Sequence, residues 1–107
     1  MPRYLEDIVP GETWTSDEIV LSEEDIIRYA REYDPQPMHT DPAKAAESRF
    51  GSLIASGWQV AALSMKLFVE GGTFGDTPLV GLGVDELRWR KPVRPGDRLH
   101  CIREIIS

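Results

Sequence analysis

The sequence predicts an α+β domain with strands set around one enclosed helix, on three observations. Residues 58–69 are apolar on almost every side and stop at Gly71-Gly72, the pattern of a helix surrounded by protein rather than laid on a surface. Residues 79–89 instead carry apolar side chains at a period of two, as strands do, and residues 99–106 read as a last strand. Between the first strand and the long helix lies a proline-bracketed stretch, residues 33–42, which no helix or central strand is expected to run through.

The elements follow in order. Pro10-Gly11 signals a turn, and Thr13-Trp14-Thr15 with Glu18-Ile19-Val20-Leu21 reads as a first strand interrupted at Ser16-Asp17. Ser22-Glu23-Glu24-Asp25 is a capping box, with acidic groups where the helix dipole favours them. The helix it starts turns Ile26, Ile27, Ala30 and Tyr33 to a core and Arg28, Arg31 and Glu32 to water, and ends at Asp34. Asp41-Pro42 opens a short helix to Ser48, with aspartate as cap and proline at the first position.

Phe50-Gly51 breaks the chain, and a helix from Gly57 to Val69 spans roughly 20 Å. Its Met, Trp and Phe side chains read as core rather than as a cofactor box. Val80, Leu82 and Val84 share one strand face, while Leu87 and Trp89 take the other parity, so a bulge is expected near Asp85-Glu86. Arg94-Pro95-Gly96-Asp97 suits a type II turn, and the strands on either side of it form a hairpin-like pair.

A chain of 107 residues is one domain, with 41% hydrophobic and 28% charged residues, and no run approaches the roughly 18 apolar residues of a membrane span. The acidic N-terminus lacks a signal core, and the lone Cys101 forms no internal disulfide; the expectation is a cytoplasmic protein. A formal charge of −6 repels nucleic acid, and two histidines and one cysteine make no zinc constellation. The cluster Arg88, Arg90, Lys91, Arg94 and Arg98 is either a solvated strand face or a seat for anionic groups of a ligand.

Chemistry points to Tyr33-Asp34-Pro35-Gln36-Pro37-Met38-His39-Thr40-Asp41-Pro42. Each proline pins its own φ and pushes Asp34, Gln36 and Asp41 towards extended conformations. A pinned backbone lowers the entropy lost when a carboxylate and an imidazole, a general base and a general acid, are held together. The plain alternative is a run of turn and helix-start dipeptides.

Asp34-Pro35-Gln36-Pro37-Met38-His39, Gly51-Ser52-Leu53-Ile54-Ala55-Ser56-Gly57, Val84-Asp85-Glu86-Leu87-Arg88-Trp89 and Lys91-Pro92-Val93-Arg94-Pro95-Gly96-Asp97 together resemble the MaoC-like family of (R)-specific enoyl-CoA hydratases and their relatives. The resemblance implies a single hot-dog domain over residues 1–107, a curled antiparallel sheet around one long helix. It implies that Asp34 and His39 are the catalytic pair, that Gly57 aims its N–H at the thioester oxygen, and that Ser56 and Gln36 join it in holding substrate. It further implies hydration or dehydration of a 2-enoyl-CoA-type acyl thioester, with coenzyme A present only as part of the substrate and no metal.

Family members usually have asparagine at the position of Gln36 and carry two more strands beyond the position of Ser107. The chain is therefore expected to leave its helix partly uncovered and to pair as a homodimer or larger assembly. Two other classes on the same fold are a non-catalytic acyl-thioester-binding subunit and a thioesterase. The second generally needs a carboxylate on the central helix, which residues 57–69 lack.

Overall fold

The computed structural model describes residues 10–71 and 83–106. Strand β1 (Thr13–Thr15) is followed by β2 (Ile19–Val20), helices α1 (Glu23–Tyr33), α2 (Pro37–Thr40), α3 (Pro42–Glu47) and α4 (Gly57–Glu70), and then strands β3 (Arg98–Leu99) and β4 (Ile102–Glu104).

The first strand is interrupted where Ser16-Asp17 predicted. β1 pairs antiparallel with β4, Trp14 opposite Arg103, and β2 pairs with β3, Ile19 opposite Leu99. Between Thr15↔Ile102 and Ile19↔Leu99 three residues face two, so the two ladders are one strand pair with an extra residue, a β-bulge. Ser16 bridges the gap. Its N–H donates to the Cys101 carbonyl at 2.8 Å and its Oγ accepts from the Cys101 N–H at 2.7 Å, replacing a ladder rung.

Helix α1 starts as its sequence dictates: Ser22 has extended backbone and its hydroxyl accepts from the Asp25 N–H at 3.0 Å. Ile26 and Ala30 are fully buried, but Tyr33, expected on the same face, is exposed and rests its ring against Tyr29. The helix ends there, and the chain has already turned towards the proline loop. Ile26, Leu21, Ala45, Leu53 and Ala55 form the core, with Ile27, Val60, Leu63, Val93 and Leu99 against it. The run Leu53, Ile54, Ala55, Ser56 is buried throughout and non-helical. Its Ile54 N–H donates to the Met38 carbonyl at 3.1 Å and its Ala55 N–H to the Val93 carbonyl at 2.8 Å, which ties the proline loop to the start of α4.

Three expectations need correction. The proline stretch does contain a turn of helix, α2, because Pro37 takes the first helical position, where its missing N–H costs nothing. Residues 83–92 are irregular rather than strand; Glu86 takes a left-handed φ of 55°, at the place where a bulge was expected, and no strand among the described residues pairs with the segment. The rest of that predicted strand, residues 79–82, lies outside the described residues, and the expected hairpin is replaced by pairing with β1 and β2. Finally, α4 is a helix over the predicted range, but the enclosure suggested by its apolar pattern is not met within one chain, where it is partly uncovered as the family resemblance implies: Gln59 and Leu67 are buried, whereas Trp58, Met65 and Val69 are each more than half exposed. Helix α1 is the described element packed against α4. The turn at residues 94–97 forms as expected, with Gly96 at φ 87° and the Asp97 N–H bonded to the Arg94 carbonyl at 3.1 Å.

Candidate active site

Asp34 caps α1: its N–H donates to the Ala30 carbonyl at 2.9 Å, and its backbone leaves the helix at φ −154°. Pro35 then folds the chain so that the Gln36 N–H meets the Asp34 carbonyl at 2.8 Å, an i to i+2 bond that the fixed φ of proline suits. Pro37 launches α2, and one turn of helix carries His39 inward, where it is buried.

A carbonyl oxygen only accepts, so the 2.8 Å contact between His39 Nδ1 and the Ile54 carbonyl fixes a proton on Nδ1. Nε2 is thereby turned to Asp34 Oδ2 at 3.4 Å. The same Oδ2 accepts from the Ser56 hydroxyl at 2.7 Å, and Oδ1 accepts from Gln36 Nε2 at 2.7 Å. The Gln36 bond, opposed by partial burial and seconded by the Ser56 hydroxyl and by charge on His39, holds the Asp34 carboxyl below the ordinary aspartate range.

Ser56 is fully buried and occupies the N-cap of α4 with no side-chain cap bond, because its hydroxyl is turned to Asp34. Gly57 is the first residue of α4, and the opening N–H groups of a helix have no intrahelical acceptor. The Trp89 ring lies over this glycine: a Cβ there would stand 2.6 Å from the indole. Asp34, His39, Gly57, Trp58 and Trp89 line one pocket of about 630 Å³, with Arg49, Arg88, Arg90 and Lys91 among its walls. A broad depression along the outer face of α1, between Glu23 and Glu32, has no histidine in its lining and sets no imidazole against a carboxylate.

The structure thus brings Asp34, His39, Gln36, Ser56 and Gly57 together. Ser56 and Gln36, expected beside the substrate, both bond the Asp34 carboxylate. The basic cluster divides: Arg88, Arg90 and Lys91 line the pocket, while Arg94 donates to the Phe50 carbonyl and the Ser52 hydroxyl and Arg98 reaches Glu18 at 4.0 Å. The Ile54 carbonyl, which sets the tautomer of His39, was beyond sequence reasoning because backbone carries no residue signal. The sequence reads Trp58 as core and Trp89 as strand, and the structure sets both at the pocket; only Trp58 adjoins Gly57 in sequence, so nothing there signals Trp89. Among the described residues no group of three or more His, Cys, Asp or Glu is arranged to hold a metal ion.

A carboxylate and an imidazole face one another at the N-terminus of a partly buried helix, groups whose chemistry suits proton transfer next to a developing negative charge. The chain belongs to the MaoC-like dehydratase domain family: residues 7–105 match the profile of the MaoC like domain. It is 39% identical over 103 residues to the uncharacterized protein YdeM of Bacillus subtilis, covering 96% of this chain and 73% of YdeM. Over 94 residues it is 29% identical to 3-hydroxyacyl-thioester dehydratase Z of Mycobacterium tuberculosis, covering 86% of this chain and 62% of that protein. The MaoC-like dehydratase of Rhodospirillum rubrum superposes with a TM-score of 0.90 at 39% identity, over 98% of this chain and 71% of that one. The (R)-hydratase from A. caviae, at 22% identity and a TM-score of 0.77 over 95% of this chain and 75% of its own, shares the fold. The architecture is accordingly the α+β hot-dog fold. No helix among the described residues is long and apolar enough to cross a membrane.

Proposed function

We propose that this domain adds water to, or removes it from, an acyl thioester of the 2-enoyl-CoA type, as an (R)-specific enoyl-CoA hydratase does, with Asp34 and His39 as its acid-base pair. The observation that carries this reading is the 3.4 Å approach of His39 Nε2 to Asp34 Oδ2 in a pocket that includes the first residue of α4. Family membership and the relative named for dehydration of 3-hydroxyacyl thioesters support it.

In hydration, water held between the two groups gives a proton to the Asp34 carboxylate while its oxygen bonds to the β-carbon. His39, protonated on both nitrogens, passes its Nε2 proton to the α-carbon and keeps Nδ1–H on the Ile54 carbonyl. The electron pair of the double bond moves towards the thioester, and the N–H of Gly57 stabilises charge on its oxygen. The proton on Asp34 then crosses to Nε2 and restores the starting state. Dehydration is the reverse. The lowered pKa of Asp34 suits a group that must begin as the anion.

Crotonyl-CoA incubated with the protein tests this directly, by loss of enoyl absorbance and chiral analysis of the 3-hydroxyacyl product. Asp34→Asn and His39→Ala are each expected to lower turnover by about 10² to 10⁴. Release of free thiol without hydration would move the protein to the thioesterases.

A further inference from the structure

We propose that Gln36 is a positioning residue that fixes the orientation of the Asp34 carboxylate and locks it in register with His39. The inference rests on the reading of Asp34 and His39 as the acid-base pair.

Gln36 is bonded to both members of the pair's local structure. Towards Asp34 it makes two bonds, from its N–H to the main-chain carbonyl at 2.8 Å and from Nε2 to Oδ1 at 2.7 Å. Towards α2 its own carbonyl accepts from the His39 N–H at 2.9 Å and from the Thr40 hydroxyl at 3.1 Å. Pro35 and Pro37 flank it and remove φ freedom on either side. One residue therefore sets the spacing between the two groups.

The side-chain bond has a separate consequence. A carboxylate only accepts, so the amide must present its NH₂ to Oδ1. With Oδ1 engaged by Gln36 and Oδ2 by Ser56, the carboxylate cannot rotate about its Cβ–Cγ bond, and Oδ2 stays facing Nε2. Both donors favour the anion. Gln36 is itself exposed, so core packing does not explain an ordered amide at this position. The side chain is held by the charge it serves.

The test measures Asp34 and turnover separately in the full chain. The ¹³C resonance of the Asp34 carboxyl is titrated in ligand-free wild type, Gln36→Leu, Gln36→Asn and Gln36→Glu, and kcat and KM for crotonyl-CoA are measured across pH. In Gln36→Leu the titration midpoint is expected to rise by about one pH unit, the acid limb of kcat/KM to move with it, and kcat to fall about tenfold while KM changes less than twofold. Gln36→Glu, which leaves the surface shape intact if the leucine variant folds poorly, should raise the midpoint further because two carboxylates then share one site. Gln36→Asn keeps the donor on a shorter arm and should recover part of the loss. An unmoved midpoint in both the leucine and glutamate variants overturns the proposal, as does a rise in KM at constant kcat. If wild type hydrates no enoyl thioester, the functional reading fails, and the titration still decides whether Gln36 governs Asp34.

Discussion

The hydroxyl of Ser56 donates to Oδ2 of Asp34 at 2.7 Å, joining the end of α1 to the start of α4 across 22 residues of sequence. A helix N-cap serine usually turns its hydroxyl to its own helix. Here it gives up that bond, and the two elements that carry the site are fastened to one another instead.

Ser56→Ala removes this fastening and leaves a partly buried carboxylate short of a donor. The expected loss is about 1–3 kcal/mol, the cost of an unsatisfied group in such a place, measured by urea unfolding at neutral pH. The acid limb of hydration should also shift upward, because a bond that favours the anion has gone. A variant as stable as wild type with an unmoved acid limb would show that the bond contributes nothing.

Asp34 also sets the response of stability to acid. Its carboxyl is lowered in the folded state, chiefly by Gln36, so folding favours the anion. The stabilisation is complete above the unfolded value of about 3.9 and is lost as pH falls through the lower folded value. Urea midpoints between neutrality and acid should fall less steeply in Asp34→Asn, which has no such proton to take up. Parallel curves for the two proteins would contradict the linkage.

Gly57→Ala places a methyl group against a stiff ring, since the Cβ position lies 2.6 Å from the Trp89 indole. A cost of about 1–3 kcal/mol is expected, as for other overpacked sites, together with a shift in tryptophan emission. Trp89→Ala should relieve it, so the double variant should recover most of the loss. Additive losses would separate the two residues.

The apolar face that α4 leaves open, at Trp58, Met65 and Val69, suits pairing with a second copy of the chain. Light scattering at micromolar concentration is expected to give a dimer or larger species, and Met65→Asp to shift it towards monomer. A wild-type monomer under those conditions would refute the expectation.

Much of this architecture could be read from residue types because local chemistry determines it. Ser22 and Asp41 are caps with a proper donor to satisfy, Gly96 occupies the left-handed position of its turn, and the apolar run of residues 58–69 is a helix in any setting. The meeting of Asp34 and His39 was legible through the prolines and through family resemblance, since neither residue alone distinguishes a site from a turn. What escaped depends on pairing at long range. Period-two alternation in residues 83–89 signals a strand only if another strand lies alongside. The apolar run of α4 likewise says that its faces want cover, and nothing in it says whether the same chain supplies that cover. Sequence gives no sign that the Ile54 carbonyl would orient His39.

The serine bridge across the bulge bears on how the domain forms. His39 and Asp34 are tied to their partners over 15 and 22 residues, whereas Ser16 meets Cys101 over 85. Closing the longer loop costs about 1 kcal/mol more in chain entropy than closing the 22-residue one, and contacts so distant in sequence slow the search for the native state. The segment that carries Asp34, His39 and Ser56 needs only short loop closures, so it is expected to form before Ser16 meets Cys101, an order that folding kinetics of Ile26→Val and Leu99→Ala variants would check.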